Sequence, residues 1–359
     1  MKVLFAAGGT GGHIFPAIAV AKEIMKRHPE RSEVLFVGTA RGLETRIVPE
    51  NGFQLSLIHS SGLKKMGIGG MIKGMAVLPK SFLEARQIIR QFRPHVVVGA
   101  GGYVSGPVLM MAAIMGVPTL VMDSNALPGF TNRRLARYVD KAALTFDVSL
   151  PYFGKKGVVT GNPVRQEFFE IASKARTDRF HILIFGGSQG ARAINTAMAE
   201  SLKGLSKFNE TLTITHQTGE ADFDRIREAY TRSAFANADV RAFISNMPTE
   251  FGKADLIISR AGATTCAELA AAGKASIMIP LPTAADDHQR KNAEALEAAG
   301  VAKMILQRDL SGEKLAEEIS RFVESPEIIT EMERAAKAMG REDAAEKTAD
   351  LIEELKRNV

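Results

Sequence analysis

The chain has 359 residues, 45% hydrophobic and 24% charged, an ordinary globular composition long enough for two domains. Cys266 is the only cysteine, which excludes a disulfide framework and fits a reducing compartment, and no apolar run approaches the ~20 residues of a membrane span. The formal net charge of +6 is concentrated between Ser60 and Arg93, where Lys64, Lys65, Lys73, Lys80, Arg86, Arg90 and Arg93 face only Glu84. The N-terminus opens directly on a strand, so no signal peptide is expected.

In chain order, Val3–Ala7 reads as a buried strand that ends in Gly8-Gly9-Thr10-Gly11-Gly12-His13. A helix over Pro16–Arg27 follows, then strands at Val34–Val37, Phe53–Ile58, His95–Val98, Thr119–Met122 and Ala142–Phe146, with a helix at Pro107–Met115. The pattern pauses at Gly157–Pro163, and Phe180–Phe185 opens a second series with its own turn, Gly186-Gly187-Ser188-Gln189-Gly190-Ala191-Arg192. Further strands are predicted at Thr211–Thr215, Val240–Ile244, Leu256–Ser259, Ala275–Pro280 and Val301–Leu306, and helices rich in Glu, Lys and Ala run from Asp309. Strands alternating with helices imply parallel sheets covered on both faces, and the repeated opening implies two doubly wound α/β domains. The boundaries expected are 1–162, 163–340 and a C-terminal segment 341–359.

Both glycine turns could let backbone amides approach an anion at a helix start. Neither satisfies a dinucleotide fingerprint, because the third glycine and the downstream acid are missing, and no P-loop pattern occurs. NAD and ATP are therefore poor candidates. Ser259-Arg260-Ala261-Gly262 leads from a strand into a second type of seat. The first N–H groups of that helix are free for a diphosphate, and Glu268, within its first two turns, is near enough to reach a ribose. Threonine capping with a first-turn acid explains the same residues equally well.

The whole chain resembles the MurG family of N-acetylglucosaminyltransferases. The resemblance rests on Gly8–His13 with Pro16, on Gly99–Pro107, on Asn125 with Pro128-Gly129, and on Gly161–Arg165. It continues through Gly186–Arg192, Arg260–Glu268, and Asp287-His288-Gln289 with Asn292. It implies a GT-B fold, two Rossmann-like domains facing a central cleft, with the final helix returning to the N-terminal domain. It also implies UDP-N-acetylglucosamine as donor, an undecaprenyl-linked muramyl-pentapeptide as acceptor, and a peripheral position on the cytoplasmic face of the bacterial membrane. Carried over by position, Glu268 holds the ribose, Ser188 a phosphate oxygen, and Arg165 and the Ile244 backbone border the nucleotide. Ala263, Thr264, Thr265, Cys266 and Ala267 line the diphosphate. Asn125 and Gln289 hold sugar hydroxyls, and Thr10, Gly11 and Gly12 close the site. For the acceptor the candidates are Gly101, Gly102, Tyr103, Ser105 and Asp123. Similar enzymes carry Glu-Gln-Asn where this chain has Asp123-Ser124-Asn125, and Ser124 cannot replace an amide.

An inverting transfer needs a base for the acceptor hydroxyl. His13, of a residue type titrating near ~6.5, fits that role within its motif; alone, a histidine in a turn more often braces backbone. Leaving-group charge would be met by helix N-termini and Arg165 rather than by a metal. Asp222-Phe223-Asp224 has a metal-binding form but lies at a predicted helix start, where acids are expected anyway. No cofactor and no metal are expected. Lys64, Lys65, Ile72, Lys73, Met75, Leu78, Lys80 and Phe82 suggest an apolar edge with a cationic rim for anionic membrane lipids, with Pro79 opening a helix. Beyond it, Leu83, Ile88, Ile89 and Phe92 read as a core face. Without Trp and with four Tyr, nucleic acid is not an expected partner. The rival readings are a diacylglycerol-type lipid glycosyltransferase, a UDP-N-acetylglucosamine 2-epimerase, which needs no lipid surface, and a nucleotide-sugar sensor, in which His13 would be dispensable.

Overall fold

The computed structural model describes residues 1–40, 42–60, 68–174, 179–187 and 189–357, with the side chains of 68–77 and 285 outside the description. The chain divides into two compact units, Met1–Val164 with Arg341–Val359, and Arg165–Gly340.

The first unit alternates β1 (Lys2–Ala7), α1 (Gly11–Arg27), β2 (Glu33–Gly38), α2 (Glu44–Glu50), β3 (Gln54–Leu57) and α3 (Ile68–Phe92). It continues with β4 (Val96–Gly101), α4 (Ser105–Ile114), β5 (Thr119–Asp123), α5 (Phe130–Leu135), β6 (Lys141–Leu144) and β7 (Gly157–Val159). All strands pair in parallel, in the order β3-β2-β1-β4-β5-β6-β7. Val3–Ala7 is fully buried because helices cover both faces, which is why the strand reads as an unbroken apolar run. The order reverses between β1 and β4, so their carboxyl ends flank the crevice where ligands of such sheets bind.

The second unit runs β8 (Phe180–Phe185), α6 (Arg192–Ser201), β9 (Leu212–Gln217), α7 (Phe223–Thr231), β10 (Asp239–Arg241), α8 (Met247–Lys253) and β11 (Leu256–Ser259). Then come α9 (Ala263–Ala272), β12 (Ala275–Met278), α10 (His288–Ala298), β13 (Ala302–Met304), α11 (Gly312–Glu324) and α12 (Pro326–Met339). Its sheet is parallel in the order β10-β9-β8-β11-β12-β13, so the reversal falls between β8 and β11.

The last helix, α13 (Ala344–Arg357), belongs to the first unit. Ala349, Ile352 and Leu355 join the core formed by α1 and the sheet. Arg27 of α1 donates to Asp350 at 2.7 Å, Glu353 at 3.3 Å and the Glu346 carbonyl at 3.1 Å.

Three local expectations need correction. The helix expected from Pro16 begins at Gly11, so Gly11, Gly12 and His13 are its first turn. Glycine is a weak helix former, but His13 N donates to the Thr10 carbonyl at 3.1 Å and closes that turn. Pro79 does not open a helix; it lies inside α3, which starts at Ile68. Leu83 is not part of a core face, being 65% exposed, although Ile89 is buried and Ile88 and Phe92 pack on the core.

Candidate functional site

In the first unit, β1 delivers Gly8–Thr10 and then α1, while β4 delivers Gly101-Gly102 and then α4. The two turns touch. Gly102, at φ +79, packs on the Gly8 carbonyl so closely that a Cβ there would overlap it. Gly101, at φ +113, lies directly beneath the His13 imidazole, where a Cβ would come within 2.7 Å of Cε1 and 2.8 Å of Cγ. Both positions require glycine, for conformation and for space. Thr10 is exposed and caps α1 by backbone geometry without a side-chain hydrogen bond. His13 is half-buried and stands at the third position of α1, beside the free Gly11 and Gly12 amides of the helix start.

Ser105 and Asp123, both acceptor candidates, have their polar atoms engaged within the fold. Ser105 Oγ is buried, accepts from the Gly101 amide at 2.9 Å and lies 2.7 Å from both the Ala6 and Gly101 carbonyls. It fastens the second turn. Asp123 is also buried, and accepts from the amides of Asn125 and Gly129, each at 3.0 Å, and from Asn132 Nδ2 at 2.8 Å. Burial raises its pKa, against the pull of these bonds and one from the Asn125 side chain. Asp123 therefore shapes the loop carrying Asn125. Tyr103 remains exposed, its carbonyl accepting from Ser60 Oγ at 2.8 Å.

In the second unit, a cavity of about 410 Å³ opens at the carboxyl ends of β8 and β11. Gly186, Gly187, Gly190 and Arg192 line it from the second glycine turn, Gly262 and Thr265 from the start of α9, and Arg260, Leu281 and Gln289 from beyond. The amides of Ala263, Thr264 and Thr265 occupy the first turn of α9, where the helix supplies no acceptor. Thr264 Oγ1 is buried there with no hydrogen-bond partner among the described residues. Cys266 and Ala267 offer less than expected. The Cys266 amide is bonded to the Gly262 carbonyl at 2.9 Å, its side chain is in the core, and burial pushes its thiol up to about 12. Ala267 lies deeper in the helix, where amides bond within the helix.

Glu268 is one turn beyond Thr265, on the same face of α9. Its side chain is mostly buried, and burial pushes its pKa up to about 7, with the Arg165 guanidinium 4.0 Å away pulling it back. Neither residue lines the cavity described above. The Ile244 amide is committed to Gln217 Oε1 at 2.8 Å, and Gln217 Nε2 donates to the Gly187 carbonyl at 3.0 Å. Gln217 thus ties the Ile244 segment to the glycine turn. Gln289 accepts from the Leu281 amide at 3.0 Å, which leaves its Nε2 for a ligand. Ser188 lies outside the described residues.

Sequence reasoning missed several of these residues. Arg260 appears in it only as part of a motif. Its guanidinium donates to the Ile279 carbonyl at 3.0 Å, the Pro280 carbonyl at 3.2 Å and Gln307 Oε1 at 2.8 Å, and burial lowers its pKa. A basic residue on a strand end before a glycine was the available signal. Gln217 and Glu44, a buried acid in α2, gave none.

Asp222 and Asp224 are engaged locally: Asp222 with Arg225 at 3.0 Å and Asn195 at 3.0 Å, Asp224 with Arg227 at 3.3 Å. Among the described residues no cluster of three or more His, Cys, Asp or Glu could hold a metal ion. In the basic segment, Lys64 and Lys65 lie outside the described residues, as do the side chains of Ile72, Lys73 and Met75. Leu78 and Phe82 are half-buried; Lys80 is exposed, 3.2 Å from His59 Nε2 and 3.9 Å from Glu84. Among the described residues no helix is long and apolar enough to cross a membrane.

Residues 3–144 match the model of the glycosyltransferase family 28 N-terminal domain, and residues 181–348 that of the glycosyltransferase family 28 C-terminal domain. A Myxococcus xanthus (strain DK1622) protein named UDP-N-acetylglucosamine--N-acetylmuramyl-(pentapeptide) pyrophosphoryl-undecaprenol N-acetylglucosamine transferase is 46% identical over 358 residues, covering 99% of this chain and 93% of its own length. The crystal structure of Acinetobacter baumannii MurG superposes with a TM-score of 0.80 at 34% identity, covering 98% of this chain and 99% of that one. A UDP-GlcNAc 2-epimerase from Neisseria meningitidis, bound to UDP-GlcNAc, superposes with a TM-score of 0.69 at 15% identity, covering 99% of this chain and 100% of that one, a likeness of fold alone.

Proposed function

Because this chain belongs to glycosyltransferase family 28 and, within it, to the MurG enzymes of GT-B fold, we propose which of its residues carry each step of their reaction. The enzyme transfers N-acetylglucosamine from UDP-N-acetylglucosamine to undecaprenyl-pyrophosphoryl-N-acetylmuramyl-pentapeptide, the lipid I to lipid II step of peptidoglycan synthesis. The muramyl 4-hydroxyl attacks the anomeric carbon and UDP departs, so configuration inverts.

His13 is the base that takes the hydroxyl proton. What supports it is its place at a helix start over Gly101, where a side chain that only braced the turn would not need a glycine-cleared face. On the donor side, Glu268 accepts from the ribose hydroxyls. The Ala263, Thr264 and Thr265 amides and the unpartnered Thr264 hydroxyl receive the diphosphate, and Arg260 and Arg192 supply positive charge as UDP leaves. Asn125 and Gln289 hold sugar hydroxyls. No metal is required in this scheme.

The observation that carries the donor assignment is the conjunction at α9 of free amides, an orphaned hydroxyl and a buried carboxylate one turn on. Turnover of UDP-N-acetylglucosamine with a lipid-linked muramyl-pentapeptide tests the whole. His13→Ala should lower kcat by about 10²–10⁴-fold, and unchanged turnover would remove His13 as base. Activity lost in excess chelator and restored by a divalent ion would refute the metal-free scheme.

The acceptor is lipid-linked, and residues 63–82 form the membrane edge of this reading, bringing the enzyme to the cytoplasmic face. Preferential partition to anionic over neutral vesicles is expected; equal partition would sink it.

A further inference from the structure

The carboxylate of Glu44 is completely buried and has no part in the steps above. It belongs to the first residue of α2, yet its partners lie on two other segments. Oε2 accepts from the Gly9 amide at 2.9 Å, and Oε1 accepts from the Thr39 amide at 2.8 Å and from Thr39 Oγ1 at 2.9 Å. Three glycines clear the space for it. A Cβ on Gly8 would lie 2.8 Å from Oε1, and one on Gly38 or Gly42 would overlap the side chain. Hydrogen bonds to a carboxylate oxygen are stronger than those to a neutral acceptor, and losing it would strand two part-buried amides.

In a turn of this kind an incoming anion would ordinarily take the Gly9 amide. Here a carboxylate of the same chain already holds it. The turn is therefore set before any ligand arrives, with Gly9 at φ +88. From Gly9 the chain passes to Thr10, whose carbonyl accepts from the His13 amide at 3.1 Å and the Ile14 amide at 3.3 Å. On the opposite flank Gly102 bears on the Gly8 carbonyl and Gly101 on the imidazole. The first turn of α1 is clamped between these contacts and Glu44.

We propose that Glu44 is a positioning residue: its carboxylate is the built-in anion of the first glycine turn, and it fixes the first turn of α1 and with it the His13 imidazole. Its effect on turnover rests on the reading of His13 as base; its effect on where His13 sits does not.

Glu44→Gln keeps the shape and the acceptor for Thr39, but presents an amide that cannot accept from Gly9. We expect kcat to fall by about 10–100-fold, as for a reacting group misplaced by ~1 Å, with KM for UDP-N-acetylglucosamine unchanged. The ¹H–¹⁵N signals of the His13 imidazole, assigned by difference from His13→Ala, should move. The double variant Glu44→Gln/His13→Ala should be no slower than His13→Ala, since both changes act through one group. Glu44→Asp, a carboxylate on a shorter stem, should recover part of the lost kcat. Wild-type kcat in Glu44→Gln with unmoved His13 signals would overturn the proposal. A further loss in the double variant would overturn it too, by giving Glu44 a role separate from His13. Full turnover in His13→Ala would remove the base assignment instead, and the His13 signals would still decide the positioning claim. Should Glu44→Gln not fold, Glu44→Asp carries the same readouts: a lowered kcat with moved His13 signals is expected, and a lowered kcat with unmoved signals overturns the proposal.

Discussion

The α-carbon of Gly101 is covered by the ring of His13: a Cβ built there would fall on Nδ1, with Cε1 at 2.7 Å and Cγ at 2.8 Å. Gly101→Ala must therefore push the imidazole aside, in addition to straining a residue at φ +113. We expect kcat to drop by about 10²-fold, with little change in KM for the donor, because the nucleotide seat proposed above is built from residues of the other unit. Steady-state kinetics with both substrates varied checks this. A rise in donor KM with kcat preserved would contradict it.

The proposed ribose contact of Glu268 makes donor binding depend on pH. Burial holds its carboxyl up to about 7, and the ionised form accepts from ribose hydroxyls more strongly than the protonated one. KM for UDP-N-acetylglucosamine should fall as pH rises through that value, and Glu268→Gln should raise KM and flatten the profile. The stability effect has the opposite direction. The folded value lies above the ordinary carboxyl value of 4.5, so this group's contribution is full below 4.5 and is lost as pH rises to about 7. At pH 8, Glu268→Gln should be more resistant to urea than the wild type, by an amount of order 3 kcal/mol at most.

Arg260 meets carbonyl and amide oxygens, with no acidic partner among the described residues, and the scheme proposed above uses its charge for the diphosphate. Arg260→Met should weaken binding of UDP far more than of uridine, which calorimetry can compare directly. It also leaves the Ile279 and Pro280 carbonyls without their donor, so a loss of about 1–3 kcal/mol in stability is expected. Arg260→Lys keeps the charge without the fork and should fall between the two.

His216 in β9 is fully buried, with its ring nitrogens 3.1 Å from Tyr230 Oη and 3.1 Å from Asn195 Oδ1. Burial pushes its pKa from 6.5 down to about 3, although Asp222 pulls it upward. The unfolded chain therefore takes up a proton that the fold refuses. This group's contribution is full above 6.5 and is lost as pH falls towards 3, with a slope of about 1.4 kcal/mol per pH unit. Urea midpoints of His216→Gln should show a shallower acid limb than the wild type. Between pH 4.5 and 6.5 the slopes of His216 and Glu268 oppose each other, so the single variants should tilt the profile in opposite directions.

The two parallel sheets were readable because doubly covered strands such as Val3–Ala7 and Leu256–Ser259 are plain apolar runs. The glycine turns were readable because few other residues could occupy them. What the sequence could not convey was direction. Ser105 and Asp123 have the chemistry of ligand-binding side chains, and only the fold turns them inward onto backbone amides. Glu44 looks like any acid in a first helical turn, where a surface position is the ordinary outcome. Its burial depends on Gly38 and Gly42 just before it and on Gly8, which lies 36 residues earlier in the chain. The start of α1 was misplaced for a related reason: Gly11 and Gly12 have poor helix propensity, and contacts with a distant turn override it.

The placement of α13 bears on how the protein is made. Ala349, Ile352 and Leu355 complete the core beneath α1, so Met1–Val164 has an uncovered apolar face until α13 is synthesised. Arg165–Gly340, by contrast, is one continuous stretch and holds every strand of its own sheet. The second unit can therefore finish folding while the first is still waiting, and the half of the enzyme bearing His13 is sealed only when its last turn of helix is in place.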